Sequence, residues 1–266
     1  MMWLDPSVRE YFYGLPRLSA AQPRNDEIFD AIMQCSGEVF RALENRKTQR
    51  IVLANQPYFL KQHQGIGWKE IFKNLIQGRW PILSAKNELR AIERLHALNI
   101  PTLTVVGYGW RGWNPARRQS FLLTRELPQH VTLEALIQQP LPFTQKRKLI
   151  QAVAHIARTL HQNGINHRDF YLCHLVLDYN DTRLYVIDLH RAGVRRTTPQ
   201  RWIIKDLAGL YFSSLEGHLT QRDYMRFMKY YSAASSVAWS NKEKHFWLKV
   251  KNRGEKLYRK HTSSRT

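Results

Sequence analysis

Gly164-Ile165-Asn166-His167-Arg168-Asp169-Phe170-Tyr171-Leu172-Cys173-His174-Leu175-Val176-Leu177-Asp178, a polar turn at Tyr179 to Thr182, then Arg183-Leu184-Tyr185-Val186-Ile187-Asp188-Leu189 is the stretch that decides the fold. Leu175 to Leu177 and Leu184 to Ile187 are short apolar runs that read as strands, and the polar residues between them have turn composition. A hairpin whose turn points away leaves Asp169 and Asp188 near its open end, where the two carboxylates can share a site. His167-Arg168-Asp169 by itself is compatible with an ordinary loop ion pair. Order and spacing along the rest of the chain must decide.

Upstream, Val39 to Leu43, Thr48 to Leu53 and Tyr58 to His63 read as three strands joined by turns at Glu44 to Lys47 and Ala54 to Pro57. Lys61 lies in the third. Ala85 to Leu95 follows as a helix with Leu89, Ile92 and Leu95 on one stripe, and its Glu88 is placed to reach Lys61. A solvated lysine and a surface glutamate pairing along its own helix are the plain alternatives. Leu103 to Tyr108 and Ser120 to Thr124 make five strands, separated by an arginine-rich loop from Trp110 to Arg118. Thr132 to Gln138 opens a helical half. Thr144 to Gln162 carries Leu149, Val153, Ile156 and Leu160 at helical spacing, with Gly164 as its C-terminal cap. That helix delivers the chain into His167-Arg168-Asp169. Asn25 or Asp26 caps a short helix through Met33.

The chain has 266 residues, enough to bury a good core as one large domain or as two lobes expected to share a cleft. Its net charge of +20 calls for an acidic partner: nucleic acid, an anionic membrane, a phosphorylated substrate or an acidic protein. Cys35 and Cys173 have no metal-ligand spacing and form no disulfide framework, which favours a reducing compartment. The N-terminus lacks a signal-peptide pattern and no segment has the length of an uncharged membrane span, so the expectation is a cytoplasmic protein, bound if at all to a membrane surface.

Lys61, Glu88, a linker near Glu126, Asp169 and Asp188, in that order, resemble the protein-kinase-like phosphotransferases. More narrowly, Gly37-Glu38-Val39-Phe40-Arg41, His63-Gln64-Gly65-Ile66-Gly67-Trp68, His167 to His174 and Ile187-Asp188-Leu189-His190-Arg191 resemble the lipopolysaccharide core heptose(I) kinases, the WaaP (RfaP) family. The resemblance implies an α+β, bilobal protein-kinase-like fold. Residues 1 to 36 would be an N-terminal extension, 37 to 126 a sheet lobe binding nucleotide, and 127 to 266 a mainly helical lobe with the catalytic loop and a basic tail.

It further implies ATP- and Mg²⁺-dependent phosphorylation of the first heptose of the lipopolysaccharide core, on the cytoplasmic side of a Gram-negative inner membrane. In that reading Asp169 takes the hydroxyl proton and Arg168 positions the loop. Asp188 holds the metal, Lys61 oriented by Glu88 contacts phosphate, and Glu126 and Leu127 offer backbone groups to adenine. Three departures stand out. The nucleotide loop has no glycine triad, and Arg46 and Lys47 could supply its charge. His174 stands where kinases place a metal-binding asparagine, and either holds metal or packs. Asp188 precedes Leu189-His190 and no glycine. Asp206 follows soon after, on a helix that resembles the one whose aspartate buttresses the catalytic loop. The short run between Asp188 and Asp206 suits a sugar acceptor better than a protein.

Lys69 to Gln77 sets Ile71, Phe72, Leu75 and Ile76 against lysines, and Lys242 to Arg265 mixes apolar and basic residues. Each is a packed helix or a surface for anionic lipid. The charge also admits an acidic protein such as an acyl carrier protein. The rival functions are a Kdo kinase or protein tyrosine kinase, or a non-catalytic basic protein on membrane or nucleic acid; no nucleic-acid module is recognisable, so nucleic acid is not expected as a partner.

Overall fold

The structure, a computed structural model, describes residues 1–14, 23–43, 45–76, 85–233 and 239–264. Glu44, Gln77, Arg265 and the side chain of Leu75, which enter the sequence reading, lie outside the described residues. The chain falls into two compact units, Met1–Arg90 with Leu103–Leu127, and Ala91–Thr102 with Pro128–Thr266.

The first unit contains β1 (Met2–Leu4), α1 (Pro6–Tyr13), α2 (Asn25–Gln34), β2 (Glu38–Leu43), β3 (Arg46–Leu53), β4 (Gln56–His63) and α3 (Gly67–Ile76). The start of α4 (Lys86–Ala97), β5 (Val105–Arg111) and β6 (Gln119–Arg125) complete it. The described strands form a six-stranded antiparallel sheet in the order β1-β5-β6-β4-β3-β2. Residues 1 to 36 are not set apart from it. Asp5 caps α1 by accepting from the Ser7 amide, with Pro6 pre-set for the first turn. Val8 and Phe12 of α1 and Ile28, Phe29 and Ile32 of α2 then pack on Leu60, Phe121 and Leu123 in one buried cluster. Alternation along β4 and β6 turns these apolar residues to the helices, so the sheet acquires a core on that face.

Arg46 and Lys47 belong to β3, paired with His63 and Gln62, and are not part of a loop. His63-Gln64-Gly65-Ile66-Gly67-Trp68 leads from β4 into α3. Gly65 has φ +82, and the Gly67 amide donates to the Ala116 carbonyl at 3.0 Å. On α3 Ile71 is buried, whereas Trp68, Phe72 and Ile76 are exposed. Trp68 and Phe72 touch, with ring centres 5.9 Å apart.

The second unit holds the rest of α4, then β7 (His130–Thr132), α5 (Leu133–Leu136), α6 (Phe143–Gln162) and β8 (Ile165–Asn166). Next come β9 (Leu175–Asp178), β10 (Leu184–Val186), β11 (Gly193–Val194), α7 (Gln200–Ser214), α8 (Gln221–Ser232) and α9 (Asn241–Thr262). The expected helix from Thr132 is shorter than the sequence suggests, because Val131 and Thr132 pair with β9 before α5 begins. Val153, Ile156, Ala157 and Leu160 of α6 are buried, as their spacing requires. Capping boxes at Thr220 with Asp223 and at Ser240 with Glu243 start α8 and α9. Helix α9 packs closely on α7, and a Cβ at Gly254 would lie 3.0 Å from the Ala208 carbonyl oxygen, which explains why glycine stands there. Among the described residues, no helix is long and apolar enough to cross a membrane.

Candidate active site

Helix α6 stops at Gln162 because Gly164 turns left-handed, φ +76, with its Cα against the Arg195 carbonyl, where a Cβ would collide. Strand β8 then pairs with β11, and between β8 and β9 lies the loop holding His167, Arg168 and Asp169. Asp206, 1% exposed on α7, anchors that loop. It accepts the His167 amide at 2.6 Å and the Arg168 amide at 2.8 Å. Two backbone donors that would otherwise be buried and unpaired are thereby satisfied. His161 of α6 lies 3.5 Å from the same carboxylate. Asp206 thus sits where a buttress for the loop is expected and is no surface residue.

His167 is fully enclosed, and desolvation holds its pKa below the usual histidine value. Its Nε2 lies 2.9 Å from the carbonyl of Ile187, an acceptor only, so Nε2 carries the proton of the neutral ring. The bond ties the loop to the residue before Asp188. His167 also stacks on His174, with ring centres 5.6 Å apart.

Asp169 and Asp188 flank the open end of the β9–β10 hairpin, whose register sets Leu184 against Leu177 and Val186 against Leu175. His174 joins them. Its Nδ1 donates to the Asp169 carbonyl at 2.7 Å, and its Nε2 faces Asp188 Oδ2 at 3.6 Å. With Nδ1 committed as a donor, Nε2 and the carboxylate are both acceptors unless a positive charge, a proton or a cation, stands with them. Asp188 adopts the left-handed conformation (φ 58, ψ 51), and its Oδ1 accepts from His190 Nδ1 at 2.6 Å. Its carboxylate is therefore flanked by two imidazoles.

Asp169 carries the partner that the sequence reading missed. Arg191 Nη1 lies 2.9 Å from both of its carboxylate oxygens. Arg168, the adjacent candidate, turns away from that carboxylate and places its guanidinium 4.7 Å from the Trp202 ring centre, its backbone at φ +74. The only sequence signal for Arg191 and His190 was their place in the Ile187-Asp188-Leu189-His190-Arg191 stretch.

In the first unit Lys61 Nζ and Glu88 Oε1 are 2.5 Å apart, and both side chains are nearly enclosed. Strand β4 pairs Lys61 with Thr48 and Leu122, so its backbone is held between two strands and its side chain leaves the sheet from a fixed position. Glu126 directs its carboxylate to Arg50 Nε at 2.9 Å and its amide to the Pro57 carbonyl at 3.3 Å, and Leu127 follows at the end of the unit. The structure thus assembles the site residues in two groups. Asp169, Asp188, His174 and Arg168 are in one unit, and Lys61, Glu88, Glu126, Leu127, Arg46 and Lys47 in the other.

Residues 30–231 match the lipopolysaccharide kinase (Kdo/WaaP) family. The chain belongs to that family. Its relatives include the lipopolysaccharide core heptose(I) kinase WaaP of Pseudomonas aeruginosa, 44% identical over 240 residues that cover 86% of this chain and 90% of that protein. The heptose(I) kinase WaaP of Escherichia coli K12 is 44% identical over 218 residues, 78% of this chain and 82% of that one. A solved structure described as WaaP in complex with acyl carrier protein superposes with a TM-score of 0.78 at 36% identity, covering 97% of this chain and 99% of that chain. Membership in the Kdo/WaaP family makes the mixed α and β architecture protein-kinase-like, as the ordered motifs imply.

Proposed function

We propose that the protein transfers the γ-phosphoryl group of ATP to a hydroxyl of the first heptose of the lipopolysaccharide inner core. The observation that carries this reading is the loop held by Asp206, His167 and His174, which presents Asp169 near Asp188 in a chain 44% identical to heptose(I) kinases over most of its length. Asp169 orients the heptose hydroxyl and accepts its proton as the oxygen attacks the γ-phosphorus. The bond to the β,γ-bridging oxygen breaks, and ADP departs with that electron pair. Arg191 contacts both carboxylate oxygens through one nitrogen, which leaves lone pairs of Asp169 for the substrate hydroxyl. Lys61, aimed by Glu88, neutralises phosphate charge. Glu126, whose amide is given to Pro57, offers its carbonyl to the adenine and Leu127 its backbone groups, and Arg46 and Lys47 add positive charge at the start of β3. Arg168 positions the loop.

The donor set suits Mg²⁺, which takes one or two carboxylates and completes its shell with phosphate oxygens and water. Asp188 supplies a hard oxygen donor, and the His174 Nε2 beside it is available as a weaker one. Among the described residues no group of three or more His, Cys, Asp or Glu side chains is placed to hold a metal ion. Bound there, Mg²⁺ would neutralise charge on the phosphates.

Mass spectrometry of core oligosaccharide from cells with and without the protein tests the assignment, which predicts loss of one phosphate on the first heptose. Asp169→Ala should lower kcat by roughly 10³-fold, within the range of general-base catalysis, and leave ATP affinity nearly unchanged. Near-normal heptose phosphorylation by that variant would defeat it.

The partners follow from the same reading. The net charge of +20 and an apolar cavity of about 820 Å³, lined by Leu207, Leu210, Tyr211, Phe227, Trp239 and Trp247 of the helical unit, fit an acidic acyl carrier protein whose acyl chain enters the cavity. Co-purification at low salt with release at high salt is expected, and no acidic protein at any salt would count against it. The basic face of α9 and the exposed Trp68, Phe72 and Ile76 of α3 suit attachment to the cytoplasmic face of the inner membrane.

A further inference from the structure

Four cations surround one tryptophan beside the loop that carries Asp169. The Trp202 ring centre lies 4.7 Å from the Arg168 guanidinium, 5.4 Å from that of Arg201 and 5.9 Å from that of Arg195, with the Lys205 ammonium at 5.6 Å. One cation over an indole is common; four at a single ring repel one another. The acids that act on Arg168 and Lys205 are already engaged, Asp169 by Arg191 and Asp206 by the His167 and Arg168 amides. Arg195 finds a neutral acceptor, donating to Asn166 Oδ1 at 2.5 Å. The Nε of Arg168 is buried and makes no hydrogen bond among the described residues. Burial first, then the charges of Arg191 and Arg195, lower the pKa of Arg168, and burial lowers that of Lys205. An anion would relieve this repulsion and give the idle donors a partner.

We infer that Arg168, Arg195, Arg201 and Lys205 form an anion subsite on the Trp202 platform, which reads a carboxylate or phosphate on the acceptor near the hydroxyl that is phosphorylated. The inference rests on the sugar-kinase reading and sharpens it. Arg168 precedes Asp169 in the chain, and the charge of Arg191, which holds Asp169, acts on both Arg168 and Lys205. The anion taken here is therefore part of the molecule whose hydroxyl meets Asp169. A neutral sugar would leave the four charges in mutual repulsion, so acceptor selection follows charge beside the hydroxyl as well as the shape of the sugar.

The test uses the full-length protein and three acceptors: intact lipid-linked core, the same core with its carboxylates reduced to alcohols, and the same core dephosphorylated. Wild-type KM should rise roughly tenfold for one of the two neutralised acceptors, a loss expected for charge-assisted hydrogen bonds, and the affected arm names the anion. Arg201→Gln and Lys205→Gln should raise KM for the intact acceptor by a similar factor, change kcat by about twofold or less, and abolish the discrimination. Arg201 is exposed, so its variant is expected to fold as wild type does, checked by thermal melting. Calorimetric titration of the same acceptors without ATP reads the subsite apart from turnover. Charge-dependent binding that needs Arg201, with no phosphorylation, would overturn the kinase reading and sustain this one. Phosphorylation with wild-type KM indifferent to both modifications, or variants that discriminate as wild type does, would overturn the subsite.

Discussion

Arg191 is the residue whose placement changes the chemistry most. A conventional reading of His167-Arg168-Asp169 pairs the adjacent arginine with the aspartate, but Arg168 lies on Trp202 and Arg191 takes the carboxylate. Arg168 and Asp188 both adopt left-handed backbone conformations, which redirect the chain beside each of them in a way that spacing does not reveal. Arg191→Ala should lower kcat roughly tenfold or more with ATP KM little changed, because the carboxylate loses its orientation and not its nucleotide. Arg191→Lys should recover part of the loss, since a single nitrogen already contacts both oxygens. Steady-state kinetics on the two variants checks this; equal damage by both, with the ATP KM also raised, would mark a folding role instead. His174, ambiguous in sequence, is the link between the Asp169 backbone and the Asp188 carboxylate.

At the level of elements, the pairing of a strand with a helix makes the buried Lys61–Glu88 bridge possible. Strand β4 is flanked by β3 and β6, so Lys61 is nearly enclosed, and the first turn of α4 brings Glu88 to it. Removing one member of a buried pair costs more than the pair itself contributes, because the other charge keeps its desolvation penalty. Glu88→Ala should destabilise the protein by about 3 kcal/mol in urea unfolding, and Lys61→Met with Glu88→Leu should recover most of that while leaving the enzyme inactive. A double variant no more stable than Glu88→Ala would show that the pair does not act as a unit. The strands, the long helix α6 and the hairpin were legible because alternation and helical spacing are local consequences of burial. The incorporation of β1, α1 and α2 into the first unit was not legible: residues 1 to 36 mix aromatic and charged types, and their apolar side chains find partners only on a sheet made from distant segments.

For the whole molecule, a net charge of +20 and exposed apolar residues on α3 should act together at an anionic membrane. Partitioning onto vesicles containing phosphatidylglycerol should fall at least tenfold between about 50 and 500 mM salt, as the Debye length shortens. Trp68→Glu with Phe72→Glu should weaken binding at every salt concentration, because an apolar contact is not screened; sedimentation showing the same salt curve for this variant and wild type would remove α3 from the surface. The chain by itself determined the kinase-like order of Lys61, Glu88, Asp169 and Asp188 and the family to which they belong, since motif order and hydrophobic period are written along it. Only the tertiary structure decided which charges meet: Arg191 with Asp169, Asp206 with two loop amides, His174 with Asp188, and four cations at Trp202. Charge partners are chosen by backbone direction and by burial, and neither can be summed from neighbours in sequence.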